Sequence, residues 1–192
     1  MDRDPRTDRD VERVLEAVAT AEPRCGAVTV VAVDGPSGSG KTTLALAVAR
    51  ALGCPLVHMD DLYPGWDGLR QAVSLVTEWV LRPLARGEPA AYPVWDWGRG
   101  EWGPTVVLPR TDLLVLEGCG SSVGSAGGYA AVRVWVEADA ACRLRRGLDR
   151  DGEAYRPHWL RWARQEQALF AADGTRTRAD VVIDTSPDPA GR

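Results

Sequence analysis

The 192-residue chain has no asparagine, one lysine, one isoleucine and one phenylalanine. A GC-rich coding bias disfavours all four residue types and accounts for their scarcity. No apolar run approaches the roughly twenty residues that a membrane-spanning helix requires. The first ten residues alternate acids with arginines and have no apolar h-region, so they do not read as a signal peptide. The four cysteines (Cys25, Cys54, Cys119, Cys142) form no C-x-x-C pair, and the only histidines are His58 and His158. A zinc site is therefore not expected, and reduced thiols in a cytoplasmic protein are the plain reading. With a formal charge of −4 and a pI near 5.3, the chain is a poor candidate for binding nucleic acid by phosphate neutralisation. Neither a nucleic-acid nor a membrane partner is expected, and self-association stays open.

What is present is enough for one globular domain: 45% hydrophobic residues over a length typical of a single core. Residues 1–9 read as a frayed tail of mixed charge. Helical spacing follows at Val11, Val14, Leu15 and Val18. Residues 28–33 form a β-branched run read as a buried strand, and further short strands are expected at 56–59, 113–116, 132–136 and 181–183. Helices are expected at 42–52, at 69–82 with a stop at Pro83, at 139–148 and at 158–171. Residues 87–104 and 118–128 read as loops, the first as a small hairpin at most. Apolar strands alternating with helices indicate a parallel sheet covered on both faces. The expected fold is α/β: one three-layer α/β/α domain around five parallel strands, with a short arginine-rich lid over residues 143–157.

Against the coding bias, the one surviving lysine, Lys41, sits in Gly35-Pro36-Ser37-Gly38-Ser39-Gly40-Lys41-Thr42. The segment fits G-x-x-x-x-G-K-[ST] at every fixed position and lies between a strand and a helix, the context this motif requires. Glycines let successive amides point inward as a nest for phosphate oxygens, and the following helix adds the positive end of its dipole. A compact ammonium reaches the β- and γ-phosphates where a planar guanidinium would not substitute. The Thr42 hydroxyl suits Mg²⁺, and residues 35–43, Thr43 included, form the expected set for ATP and its Mg²⁺. The plain alternative, a chance glycine turn before a helix, must explain strand, loop, helix and lone lysine together.

A P-loop alone does not separate kinases from other NTPases. Without asparagine there is no N-K-x-D guanine-reading motif, and no L-S-G-G-Q signature of ABC-type ATPases occurs. A small-molecule kinase remains. Asp60 and Asp61 follow the second strand, where ligands bind in a doubly wound sheet, and a carboxylate there can accept or orient an acceptor hydroxyl. A solvated turn or helix cap is the bland reading of the same pair. Glu117 closes the apolar run Leu113-Leu114-Val115-Leu116 and can hold Mg²⁺ through water, although a charge after a strand is often only its wet end. Arg143, Arg146 and Arg150 share one helical face and could close over transferring phosphates, or simply form a solvated basic face. Tyr63, Trp95, Asp96, Trp97 and Arg99 offer ring faces and polar groups for an acceptor, or a plug anchoring a loop.

These segments, in this order, resemble the uridine kinase/phosphoribulokinase group of P-loop kinases, over roughly residues 28–188. The D-x-F-Y type motif of that group is similar to Asp60-Asp61-Leu62-Tyr63, which makes Asp60 the base. Its P-x-Y-D-F segment is similar to Pro93-Val94-Trp95-Asp96-Trp97, its E-G turn to Glu117-Gly118, and its arginine-rich lid to Arg143-Leu144-Arg145-Arg146 with Arg150-Asp151. Its late A-D-V-I-I strand is similar to residues 179–183, and the resemblance puts Asp188 near the adenine. Two departures fall on acceptor recognition: Leu62 replaces phenylalanine, and the histidine after the P-x-Y-D-F segment is missing from Gly98-Arg99-Gly100-Glu101. The resemblance implies an ATP- and Mg²⁺-dependent transfer to a hydroxyl of a nucleoside or related polyol. Lys41, Asp60, Arg146 and Arg150 would carry the chemistry. A nucleotide-phosphorylating kinase and a non-catalytic ATP-binding switch stay open beside it. Trp159, Trp162, Gln165 and Glu166 have no counterpart in the group; Glu166 is read as a speculative acceptor contact.

Overall fold

A computed structural model describes residues 5–153 and 156–187. In chain order the elements are α1 (Pro5–Ala19), β1 (Thr29–Asp34), α2 (Lys41–Leu52), β2 (Leu56–His58), α3 (Leu69–Val76), α4 (Arg82–Ala85), β3 (Ala91–Asp96), β4 (Glu101–Val107), β5 (Leu113–Glu117), α5 (Gly124–Tyr129), β6 (Ala130–Glu137), α6 (Ala140–Asp151), α7 (Arg156–Asp173) and β7 (Val181–Asp184). Five strands form one parallel sheet in the order β2-β5-β1-β6-β7, and β3 and β4 pair antiparallel as a separate hairpin.

The sheet is apolar on both faces because helices cover both. Along β1, Val31 and Val33 enter a core with Leu44, Val48 and Val14 of α2 and α1. Val30 enters the opposite core with Leu69, Val73, Trp162 and Leu169 of α3 and α7. The β5 strand divides in the same way, Leu114 and Leu116 to one side and Val115 to the other. Alternation of side-chain direction along a strand turns an unbroken hydrophobic run into two cores.

Three expectations are corrected. Residues 5–9 are helical, not a frayed tail. Arg6 donates to the carbonyls of Asp184 (2.6 Å) and Ser186 (2.8 Å), and Arg13 to that of Val182 (3.0 Å), so α1 is tied along the edge strand β7 and covers its open carbonyls. The helix expected to stop at Pro83 instead runs to Ala85 through a π turn at Thr77–Leu81. The buried Thr77 hydroxyl also donates back to the Val73 carbonyl (2.7 Å), and the wider π turn that begins at Thr77 ends two residues before Pro83, where an α-helical ladder would meet the proline ring. Within 118–128, read as loop, Gly124–Tyr129 forms the short helix α5.

All five parallel strands deliver their carboxyl ends to one rim. The loop after β1, the turn after β2, the turn after β5 and the C-terminal half of α6 meet there, which is where ligands lie in open α/β sheets.

Candidate active site

The rim holds a cleft of about 990 Å³, lined among others by Ser37, Gly38, Lys41, Thr42, Asp60 and Glu117. At one end the loop after β1 wraps into α2. Gly35 and Gly38 have φ of 142° and 76°, and a Cβ on them would lie 2.0 Å from the Val136 carbonyl oxygen and 2.3 Å from that of Arg143. Only glycine allows this path between β6 and α6. The opening amides of α2 have no carbonyl one turn back and face the cleft. Pro36 has no N–H to offer; its carbonyl accepts from Lys41 Nζ at 3.1 Å. The Ser39 amide donates to the same carbonyl (3.2 Å) and the Ser37 amide to Glu166 (2.7 Å). Of the loop amides, those of Gly38 and Gly40 and the first turn of α2 therefore make the nest.

Lys41 is buried at the floor of this end. Burial alone would drive its proton off, but Cys119 and the carboxylates of Glu117, Glu166 and Asp34 outweigh it and hold the ammonium well above its ordinary range. Asp34, at the end of β1, was not singled out in the sequence. It is fully buried and accepts from the amides of Gly35 (2.7 Å), Gly120 (2.9 Å) and Ser122 (2.8 Å) and from the Ser122 hydroxyl (2.9 Å). Burial pushes its carboxyl up despite these donors. The residue welds the phosphate loop to the turn after β5.

Glu117 sits where the two loops meet. Its Oε1 accepts from Thr42 Oγ1 (3.1 Å), and its Oε2 is 2.8 Å from His58 Nδ1. Burial pushes the Glu117 carboxyl up, but His58, Lys41 and Thr42 pull it below its ordinary value, while the bond to Glu117 raises His58. Among the described residues no cluster of three or more His, Cys, Asp or Glu could enclose a metal. One hydroxyl and one carboxylate in contact nevertheless fit Mg²⁺, which keeps most of its waters and takes few protein oxygens beside substrate phosphates.

The opposite end begins at the tight 3₁₀ turn Met59–Asp61 after β2. Asp60 reaches water through the cleft mouth, yet the cleft walls strip away bulk solvent and raise its pKa. Glu117 raises it further, against Lys41, Arg150 and His58. Burial also raises Asp61. Around this turn stand aromatic rings from three segments. Trp97 of the hairpin donates its indole N–H to the Asp60 carbonyl at 3.1 Å. Trp66 lies 5.0 Å from Trp97 and is stacked on His158 of α7 at 4.3 Å, ring centre to ring centre. Tyr63 is buried, donates to the Cys119 carbonyl at 2.9 Å and meets Trp162 edge-on. Gln165 Nε2 donates to the Trp66 carbonyl at 2.7 Å, fastening α7 to this wall.

The expected residues divide as follows. Ser37, Gly38, Gly40, Lys41, Thr42, Thr43, Asp60, Asp61, Tyr63, Trp97, Glu117, Arg146 and Arg150 line the one cleft. Trp95 does not; it packs edge-on against Trp102 across the hairpin. Asp96 accepts the amides of Gly98 and Arg99 (both 2.9 Å) and so builds the hairpin turn, while Arg99 pairs with Glu101 at 2.8 Å on the exposed tip. Arg146 lines the cleft but donates to Gly38 O (3.4 Å), Thr185 Oγ1 (2.9 Å) and Thr185 O (2.9 Å), so its guanidinium braces the loop. Arg150 lies one turn further along α6, in the lining and close enough to lower Asp60. Asp188 lies outside the described residues. Sequence reasoning missed His58, Trp66, His158 and Trp162 as lining; the tryptophan spacing of α7 fits core packing and gave no sign of the cleft.

No protein-family model matches the chain. A cytidylate kinase from Pseudomonas aeruginosa (strain UCBPP-PA14) is 32% identical over 133 residues, 66% of this chain and 57% of the relative. The chain thus spans a little over half the length of the curated relatives it matches first. Among solved structures, one titled as a possible uridine kinase from Bacillus stearothermophilus superposes with a TM-score of 0.66 at 21% identity, covering 92% of this chain and 98% of the other. D-glycerate 3-kinase from Cryptococcus neoformans var. grubii superposes with a TM-score of 0.55 at 15% identity, covering 87% and 89%. No helix among the described residues is long and apolar enough to cross a membrane. The five-stranded parallel sheet, the glycine-rich loop between β1 and α2 and these likenesses together give the chain the fold of the P-loop small-molecule kinases.

Proposed function

We propose that this chain transfers the γ-phosphoryl group of ATP to a hydroxyl of an unphosphorylated, ring-bearing small molecule, a nucleoside or related polyol. The observation that carries the reading is the distribution of charge along the cleft. Lys41 and Arg146 stand at the phosphate end, and Lys41 and Arg150 bear on Asp60, whereas Asp61, Trp66 and Trp97 add only a second carboxylate and flat rings to the lining. An acceptor bearing its own phosphate would meet two carboxylates there, with Arg150 and Lys41 the lining cations that bear on Asp60. A neutral ring with hydroxyls meets flat aromatic faces and hydrogen-bond acceptors.

In this reading the loop amides and Lys41 hold the β- and γ-phosphates, and Thr42 with Glu117 would hold Mg²⁺, which would offset phosphate charge when bound. Asp60 accepts the proton of the attacking hydroxyl. Its raised pKa makes it a better base than a solvated aspartate. Arg150, in the cleft lining, would offset charge that spreads onto the equatorial oxygens.

The second reading, phosphorylation of a nucleoside monophosphate, is favoured by the name of the relatives that match at 32% identity. A panel of nucleosides, their 5′-monophosphates, sugars and vitamins, assayed for acceptor-dependent ADP release, separates the two. We expect turnover with an unphosphorylated member and none with its monophosphate. Turnover only with monophosphates would overturn the hydroxyl reading.

A further inference from the structure

The carboxylate of Glu166 is neither in the cleft nor part of the chemistry described above, and only 2% of the residue is exposed. It stands one helical turn after Trp162 on α7. Three donors converge on its Oε1: the Ser37 amide at 2.7 Å, the Trp162 indole N–H at 2.7 Å and the Cys119 thiol at 3.0 Å. Burying a carboxylate is costly unless donors surround it, so this placement asks for a reason beyond packing. Each donor comes from a different part of the site: the crest of the phosphate loop, the aromatic wall at the acceptor end, and the turn after β5 beside Lys41.

The carbonyls of the same crest are pulled the other way. Arg143 donates to Ser37 O (3.2 Å), Arg146 to Gly38 O (3.4 Å) and Thr185 Oγ1 to Ser39 O (2.6 Å). In a planar trans peptide the N–H points opposite to the C=O. Drawing the Ser37 and Ser39 carbonyls outward therefore turns the Gly38 and Gly40 amides inward, toward the phosphates. The crest is held by charged groups on both sides, a carboxylate on its N–H and guanidiniums on its carbonyls, and such hydrogen bonds are the strong ones.

We propose that Glu166 is a positioning residue that sets the phosphate loop through the Ser37 amide and makes its shape depend on the acceptor wall through Trp162. The inference rests on the reading of this loop as the triphosphate site. The fixed point is α7, which carries His158 and Trp162 into the cleft at one end and Glu166 under the loop at the other. A shift of Trp162 against an incoming ring moves the indole donor that Glu166 shares with Ser37. The sequence reading of Glu166 as an acceptor contact is replaced by this one, since the side chain lies behind the cleft wall.

Calorimetry with MgADP on Glu166→Gln, Trp162→Phe and the double variant tests the joint without needing the acceptor. Glutamine keeps shape and one acceptor oxygen but loses the charge, so MgADP should bind about tenfold more weakly while the unfolding midpoint of the nucleotide-free protein stays nearly constant. Trp162→Phe should weaken MgADP by a smaller factor, and the double variant should bind no worse than Glu166→Gln alone, because the two act on one link. Unchanged MgADP affinity with a lowered midpoint, or fully multiplicative losses in the double variant, would overturn the proposal. Should Glu166→Gln not fold, hydrogen exchange on the nucleotide-free wild type decides the matter. The Ser37 amide must be protected, and exchange at the rate of an open loop amide overturns the joint. A wild type that binds no MgADP would count against the proposed function, while the exchange measurement still judges the Ser37–Glu166 link.

Discussion

The two ends of the cleft are built by different means. The phosphate end comes from one contiguous segment, residues 35–43, whose backbone supplies the donors and whose one lysine supplies the charge. The acceptor end is assembled from the turn after β2, the tip of the β3–β4 hairpin and the N-terminal half of α7, and its wall is side chains. Backbone sites tolerate sequence drift away from their glycines and lysine; side-chain sites do not. The two departures from the uridine kinase pattern lie outside the cleft lining, Leu62 in the core and residues 98–101 at the exposed hairpin tip.

The contrast can be broken first at Lys41. Lys41→Met should lower phosphoryl transfer by about 10²–10³ or more, because no other ammonium exists to replace it. Initial rates of ADP release measure this, and retention of more than a tenth of the wild-type rate would sever the motif from the chemistry. Asp60→Asn should cost about 10²–10⁴ in kcat with MgADP affinity unchanged. It should also abolish an acid limb: in the wild type, activity should fall as pH drops through a value above the ordinary 3.8 of an aspartate, since the base must be ionised. A kcat–pH profile identical in the variant would remove Asp60 from its role.

Trp66→Ala or Trp97→Ala should raise the acceptor KM by roughly tenfold and leave the ATP KM alone, through loss of about 1–1.5 kcal/mol of ring contact. If both constants moved together, the two ends would not be separable in the way the geometry suggests. A smaller effect belongs to the His58–Glu117 pair between them. The raised pKa of His58 gives stability that is complete below its ordinary 6.5 and is lost as pH rises through the raised value. The lowered pKa of Glu117 gives stability that is complete above its ordinary 4.5 and is lost as pH falls through the lowered value. The difference in melting temperature between wild type and His58→Gln, about a few degrees, should therefore peak between those pH values and shrink above neutrality. A difference flat from pH 5 to 9 would mean the pair is not ionic. Arg99→Ala should change the KM of either substrate by less than about twofold, because its guanidinium serves an exposed pair with Glu101.

Much of the phosphate end was legible beforehand because its chemistry is local. A glycine that must adopt positive φ, an ammonium and a hydroxyl follow one another along the chain, and no distant residue is needed to recognise them. The hairpin shows the opposite case. Asp96 and Arg99 have the composition of a recognition segment, but Asp96 spends its carboxylate on two turn amides and Arg99 points outward. Whether a polar side chain faces a ligand or its own turn depends on which side of the hairpin packs on the body, which composition does not encode. The helix α7 was harder still, since its Trp spacing fits a core and its carboxylate has no motif around it.

Taken alone, the amino-acid order determined the alternation of strands and helices, the parallel sheet with two covered faces, and the glycine-rich loop between β1 and α2. Each of these follows from short-range periodicity or from the conformational range of single residues. Tertiary structure alone decided that Asp34, Glu117 and Glu166 converge on the same loops, that Arg146 braces rather than projects, and which tryptophans face the cleft. Those outcomes depend on strands and helices far apart in the chain being brought to one rim, where burial and shared hydrogen bonds, not sequence neighbours, fix what each side chain does.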